Sequence, residues 1–115
     1  MIGFTTKVQI LKPAVATDRY GNEVLDYENG TPVDVERLVS VQPTTQTEDT
    51  DARLMVVNGW RLITPAGVDI PLAEIDRVLF NGREVEVAGN VLRWPHPVVP
   101  GKVHHVEADL TLVRG

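Results

Sequence analysis

The side chains in this sequence best suited to metal or acid–base chemistry are the three histidines, His96, His104 and His105. Neighbouring residues of a β-strand point to opposite faces, so we do not expect His104 and His105 to bind one metal ion together. A metal site would need His96 and a carboxylate from elsewhere, and the spacing favours no such partner. We therefore interpret the adjacent pair as one exposed and one half-buried strand histidine, and we predict no metal site.

The acidic residues and the single serine offer no better reaction centre. The run Glu48-Asp49-Thr50-Asp51 has the carboxylate density of a calcium loop, but it lacks the glycine and the closing glutamate of an EF-hand. Glu84 and Glu86 share one strand face, and we interpret both as facing solvent. Ser40 has no glycine elbow around it, and the glycines stand singly rather than as a phosphate-binding loop. We predict no catalytic residue and no cofactor, so the protein is not expected to be an enzyme.

The elements that position these residues are predicted to be β-strands, because the apolar residues recur with a period of two. Val8 and Ile10 lie on one side of the first run, and the 34–41 run alternates in the same way. The run 106–113 is expected to send its even-numbered residues inward, namely Val106, Ala108, Leu110 and Leu112. Trp60 and Trp94 are interpreted as core or rim residues.

Turn signals separate these runs. Asn58-Gly59 and Asn81-Gly82 each predict a tight hairpin, since this dipeptide readily takes positive φ angles. Residues 19–22 predict the turn of an early hairpin, and residues 71–75 are the one candidate for a short helical turn. Together these signals predict an all-β fold, a small barrel or sandwich of about seven short strands in a single domain over residues 1–115.

Composition excludes several classes of function. The chain has 115 residues, no cysteine and a net charge of -5, so thiol catalysis, disulfides and thiolate metal sites are excluded. The acidic excess disfavours a protein that grips nucleic acid. The longest apolar runs span only a few residues, such as Leu54-Met55-Val56-Val57, so we expect no membrane span and no signal peptide, and a soluble protein of cytoplasmic type.

Two irregular segments are candidates for contacts with partners. Residues 42–51 are expected to form a long polar loop that stays mobile until a partner orders it. Residues 95–101 contain three prolines and cannot form an inner strand. The candidate loop residues are Gln42, Thr44, Thr45, Gln46, Thr47, Glu48, Asp49, Thr50 and Asp51, and the candidate subunit contacts are Pro95, His96, Pro97 and Pro100.

A series of short motifs follows one another along nearly the whole chain. They are Asp18-Arg19-Tyr20-Gly21-Asn22-Glu23, Val41-Gln42-Pro43, Thr47-Glu48, Gly59-Trp60-Arg61-Leu62, Pro65-Ala66-Gly67-Val68-Asp69, Asp76-Arg77-Val78, the Gly-x-x-x-Glu-Val strand from Gly82 to Val87, and Trp94 before the 101–107 segment with its two histidines. In this order the chain resembles the head-closure, or stopper, proteins of long-tailed siphophages, especially those of actinobacterial hosts.

This resemblance implies a small β-barrel subunit in a hexameric or dodecameric ring. The ring would lie at the head–tail junction of the virion, between the portal–adaptor complex and the tail, and would be assembled in the cytoplasm of the bacterial host. It would retain packaged double-stranded DNA until ejection without binding it specifically, with residues 42–51 as the gating loop. Tail-terminator and tail-completion proteins have similar folds and remain alternatives. A small OB-like or SH3-like binding module for peptide or single-stranded nucleic acid is a further one.

Overall fold

The computed structural model describes residues 3–47 and 55–113, with side chains described for residues 3–44 and 59–113. Within these ranges the chain forms seven strands and no helix. The strands are β1 (Gln9–Thr17), β2 (Glu23–Asp34), β3 (Ser40–Thr47), β4 (Met55–Ile63), β5 (Arg77–Phe80), β6 (Arg83–Pro95) and β7 (Val103–Leu112). The all-β prediction is confirmed. In the described part of the chain, no helix could cross a membrane.

The seven strands form one antiparallel sheet in the order β2-β1-β5-β6-β7-β4-β3. The sheet is curved, so that the segments before β1 and β3 meet although these strands lie far apart in the strand order. There the amide of Thr6 donates to the carbonyl of Val39, and the amide of Val39 donates back, each at 2.9 Å. This bridge and the hydrogen bond from the Val35 amide to the Val8 carbonyl at 3.3 Å join the segments before β1 and β3, and the sheet is not closed into a barrel.

The concave side of the sheet carries the hydrophobic core. Trp60 and Phe80 pack edge to face with ring centroids 5.7 Å apart, and aliphatic side chains from the strands and from the connection after β4 fill the remaining space. The prediction that side chains of the last run face inward is confirmed for Val106, Ala108 and Leu110. It is wrong for Leu112, which is exposed. Each buried side chain of this size contributes about 1.5–3 kcal/mol by leaving water, so the core accounts for the choice of face along most strands.

The two Asn-Gly dipeptides behave differently. Asn81 and Gly82 have φ angles of 48° and 75° and form the predicted hairpin turn between β5 and β6. The hairpin predicted at Asn58-Gly59 is wrong, because β4 runs through it without a turn. Gly59 lies between β3 and β7, where a β-carbon would come within 2.9 Å of the Thr44 hydroxyl and 3.0 Å of the Leu110 carbonyl oxygen. Close approach of neighbouring strands, rather than a turn, requires this glycine.

Two further sequence-based expectations are corrected in the connections. The 34–41 run is not a strand, because β2 ends at Asp34 and β3 begins at Ser40. Val35 and Val39 are buried from this irregular connection, and the Lys7 ammonium donates to the Val35 carbonyl at 2.8 Å. Residues 71–75 form no helix either; a turn closes there when the Asp76 amide donates to the Ala73 carbonyl at 3.0 Å.

Two hairpins extend beyond the part of the sheet that is paired on both edges. β1 pairs with β5 only through Gln9–Leu11, so residues 14–17 and 23–26 pair only with each other. We call residues 14–26 the first arm. β6 pairs with β5 only as far as Glu86, and we call residues 92–106, where β6 pairs with β7 alone, the second arm. The radius of gyration is 16.2 Å, against about 13 Å for a compact domain of this length, as expected for projecting arms.

Candidate assembly surface: two hairpin arms and the loop between them

The tip of the first arm is the turn predicted at residues 19–22. Its geometry comes from Asp18, whose carboxylate oxygen Oδ1 accepts from the amides of Tyr20 and Asn22, each at 2.9 Å. Aspartate commonly forms such turns by hydrogen bonding its own backbone. Gly21 takes a φ of 82°, which an L side chain rarely adopts. The turn is therefore formed by local residues, independently of the rest of the fold.

The first arm exposes apolar side chains on both of its faces. Val15 lies opposite Leu25 on one face, and Ala16 lies opposite Val24 on the other; Val15 is 65% exposed and Tyr20, at the tip, is 77% exposed. A two-stranded ribbon is at best marginally stable alone in water, and clustered exposed apolar residues mark contact surfaces. The sequence motif identified the turn but not the arm as a contact surface.

The second arm carries the proline-rich segment that was predicted to contact other subunits. Pro95 ends β6, while Pro97 and Pro100 are exposed in the turn that leads to β7. The exposed apolar residues of this arm are Leu92, Trp94, Val98 and Val99, of which Val98 is 79% exposed. The structure therefore brings the predicted segment together with an apolar surface, and its role in subunit contact stays a prediction.

His104 and His105 lie against each other, so the expectation that they point to opposite faces is wrong. Trp94 pairs with His105 and Pro95 with Val103, which leaves His104 as the extra residue of a β-bulge. A bulge redirects side chains by breaking the alternation of the strand. The Nδ1 atoms of the two histidines are 2.9 Å apart, and the His105 ring stacks on Trp94 at 5.9 Å.

The proton positions in this cluster follow from its partners. His105 Nε2 lies 2.8 Å from a Glu107 carboxylate oxygen, which can only accept, so this nitrogen carries a hydrogen. In the neutral ring His105 Nδ1 is then bare and accepts from Nδ1–H of His104. Glu107 and Asp109 also pair with Arg61 on the neighbouring strand. No group of three or more metal-binding side chains occurs among the described residues.

His96 has a separate role at the tip of the second arm. Its Nδ1 accepts from the amides of Val98 and Val99 at 3.1 and 3.0 Å, while its own amide donates to the Lys102 carbonyl at 2.8 Å. Two N–H groups directed at one ring nitrogen require a lone pair on it, so Nδ1 of His96 is unprotonated in this structure. The ring also packs edge to face against His104, with centroids 5.6 Å apart.

The loop at residues 69–76 joins the bases of the two arms. On the side of the first arm, the Lys12 ammonium pairs with the buried Asp76 carboxylate and donates to the Pro71 carbonyl. Asp76 also accepts from the Ala73 amide at 2.8 Å. The Tyr27 hydroxyl donates to the Ile75 carbonyl at 2.6 Å. Side chains of β1 and β2 thus hold the loop from one side.

On the side of the second arm, Arg93 and Glu74 hold the same loop. Arg93 donates to the Ile70 and Leu72 carbonyls at 3.0 and 2.6 Å and pairs with Asp69. The Glu74 carboxylate accepts from the Val91 amide at 2.8 Å, and this hydrogen bond lowers the pKa of Glu74 below its usual 4.5. These contacts link residues far apart in sequence, and no motif in the sequence points to them.

The predicted polar loop is partly a strand. Residues 42–47 belong to β3 and pair with β4, from Gln42 opposite Arg61 to Thr47 opposite Met55. Gln42 and Thr44 are exposed, and Thr45, Gln46 and Thr47 are described only by their backbone. Glu48, Asp49, Thr50 and Asp51 lie outside the described residues. The extended hairpin pairing explains the difference, because threonine is β-branched and suits an edge strand as well as a loop.

The other residues considered from the sequence have structural contacts. Glu84 pairs with Arg77 at 2.5 Å, and the Arg77 guanidinium lies over the Tyr27 ring at 3.7 Å. Glu84 is exposed as expected, whereas Glu86 is half-buried, so the solvent-facing interpretation is confirmed for Glu84 only. Ser40 is buried.

No protein-family model matches the sequence, and no curated protein matches it. Among solved structures, the chain is similar to the phage-like element PBSX protein xkdH from Bacillus subtilis. The likeness covers 93% of this chain and 92% of that one, with a TM-score of 0.54 and 18% sequence identity. At that identity it shows a common fold alone.

Proposed function

We propose that the chain is a structural protein of a phage virion and, more specifically, a head-closure subunit of the head–tail connector. The observation that carries this proposal is the pair of projecting arms, which expose apolar residues on a domain that has a buried hydrophobic core of its own. The fold shared along nearly the full length with a protein of a phage-like element supports the phage context. The order of the sequence motifs supports the connector role.

The proposed assembly is a homo-oligomeric ring of six or twelve copies, in contact with an adaptor or portal-side protein and with a tail-side protein. β2 and β3 lie at the two ends of the strand order, so each has an edge without a strand neighbour in the described sheet. Different edges that meet between copies make head-to-tail contacts, and such contacts form rings when the rotation from copy to copy closes. Pairing of this kind also protects an exposed sheet edge from aggregation.

The charge distribution supports passage of DNA rather than a nucleic-acid binding module. Four of the eleven basic side chains pair with a carboxylate of the same chain, namely Lys12, Arg61, Arg77 and Arg93, and the net charge is -5. A binding module needs basic side chains free to neutralise phosphates. An acidic subunit around a channel repels DNA and lets it slide. Retention of packaged DNA until ejection is the step that we assign to the ring.

The arm surface can be tested with a matched pair of substitutions. Leu25 on the first arm is 43% exposed, and Leu112 at the end of β7 is 46% exposed. We expect Leu25→Asp to abolish ring formation with the neighbouring connector proteins, because a charge then replaces an apolar contact. Leu112→Asp serves as the control and should assemble normally. Size-exclusion chromatography with light scattering, on the chain alone and with those proteins, measures the outcome.

A monomer in isolation is compatible with the proposal, because such subunits can assemble only on their docking platform. Failure of the unmodified chain to bind any connector protein at high concentration would contradict it. Binding to the portal-side proteins distinguishes head closure from tail termination, which requires binding to the tail tube. For head closure itself, particles assembled without this subunit should lose their DNA to added nuclease, while particles with it should protect the DNA.

A further inference from the structure

The tip of the second arm is held by a single side-chain nitrogen. Residues 97–100 lead from β6 to β7, and His96 Nδ1 accepts both the Val98 and the Val99 amide. Apart from these two hydrogen bonds and the pairing of His96 with Lys102, the backbone of the tip has one long contact, from the Lys102 amide to the Val99 carbonyl at 3.4 Å. The shape of the most exposed apolar part of the arm therefore depends on the lone pair of Nδ1.

Uptake of a proton at Nδ1 would remove that lone pair. A protonated imidazole donates from both nitrogens, so the amides of Val98 and Val99 would face an N–H group instead of an acceptor. Histidine is the side chain that ordinarily changes charge between pH 5 and 8. The chain has three histidines and no cysteine, and all three histidines belong to this hairpin.

We propose that the tip of the second arm is a proton-controlled turn, in which neutral His96 holds residues 97–100 in the observed shape and protonation releases it. This change is a property of the chain alone and does not depend on the proposed connector function.

The surroundings of His96 reinforce the effect of acid. The His96 ring faces His104, and the Lys102 carbonyl accepts the His96 amide. The charged and titratable groups behind His104 form a chain of contacts, namely His105, Glu107, Arg61 and Asp109. The bond between His104 and His105 holds one shared hydrogen. A proton added at His105 Nδ1 would set two N–H groups against each other at 2.9 Å, which loosens the base of the same tip.

The change in the turn can be measured on the full chain by NMR. We expect the amide protons of Val98 and Val99 to lose their hydrogen-bonded chemical shift between pH 8 and pH 5, with the same midpoint as the imidazole signals of His96. The amides of the turn at Asn81-Gly82, which contains no histidine, serve as an internal reference and should stay constant. Constant Val98 and Val99 signals while His96 titrates would overturn the proposal.

Two substitutions give matched controls. His96→Asn keeps an oxygen that can accept the amides two and three residues ahead and does not titrate, so its tip signals should be independent of pH. His96→Ala should show the released signals at pH 8 already. A change in His96→Asn as large as that in the unmodified chain would assign the effect to His104 and His105 and overturn the role of His96.

Discussion

The two arms are both hairpins with exposed apolar residues, but they differ in what holds them. The first arm is attached at its base through Lys12 and Tyr27, and its outer residues pair only with each other. The second arm has contacts along its length. Arg93 anchors its base, the Trp94 ring stacks on His105, and the carbonyls of His104 and Val106 accept amides from Gly67 and Thr64.

This difference indicates that exposed apolar area alone does not define how an arm behaves. Segments with few contacts beyond their own pairing open at low free energy, so we expect the first arm to gain order mainly from a partner. The second arm is already braced, and its variable part is the short turn beyond Pro95. The loop at residues 69–76 contacts the bases of both arms, so substitutions that remove these contacts compare how strongly each arm is held.

The largest effect is expected at the base of the first arm. Lys12→Met leaves the Asp76 carboxylate buried without its counter-ion, since the Asp76 side chain is 1% exposed. Removal of one partner of a buried ion pair costs about 3 kcal/mol, and urea unfolding measures this loss of stability. Asp76→Asn should cost only about 1 kcal/mol, because the Lys12 side chain is 36% exposed and can turn to water. Equal losses of stability in the two variants would contradict the conclusion that the buried Asp76 carboxylate depends on Lys12 as its counter-ion.

A smaller effect is expected at the base of the second arm. Arg93→Gln removes the hydrogen bonds to the Ile70 and Leu72 carbonyls, which should lower the free energy of unfolding by about 2 kcal/mol. Arg61→Gln is the control, because this arginine forms only exposed ion pairs, worth about 0–1 kcal/mol. Amide exchange should become faster at residues 92–95 in Arg93→Gln only. A loss of stability in Arg61→Gln as large as in Arg93→Gln would contradict a specific role of Arg93 in holding the second arm.

The smallest effect concerns acid stability. The Val91 amide bond lowers the pKa of Glu74 in the folded chain, so Glu74 adds stability above its unfolded pKa, and this contribution is lost as the pH falls through the lowered value. In Glu74→Gln the amide oxygen can still accept from Val91 without titrating. We therefore expect the fall in melting temperature from pH 6 to pH 3 to be smaller in Glu74→Gln than in the unmodified chain.

Asp26 provides the corresponding test on the first arm. Its pKa is also lowered, chiefly by the hydrogen bond from the Asn29 side chain, so Asp26→Asn should flatten the same acid dependence. An unchanged slope in either variant would count against the role of that carboxylate.

Much of the fold could be predicted because its signals are local. The turns at residues 19–22 and 81–82 depend on neighbouring residues, and the alternation of Val8 and Ile10 reports their burial directly. The candidate surface was harder to predict. The prolines of the second arm marked its tip, but nothing in the sequence showed that Val15 and Leu25 lie on a ribbon without a covering layer, because that depends on where β5 stops pairing with β1.

The all-β class could be predicted from the sequence alone, as could two of the tight turns and most of the inward-facing residues, since each depends on contacts within a few residues. Identical local signals, in contrast, have different outcomes in the tertiary structure. Asn81-Gly82 turns the chain, whereas Gly59 lies inside β4 because Thr44 and the Leu110 carbonyl approach it from neighbouring strands. In the same way His104 and His105 meet because a bulge shifts the register between β6 and β7. Register between strands depends on the whole sheet, and no single segment contains it.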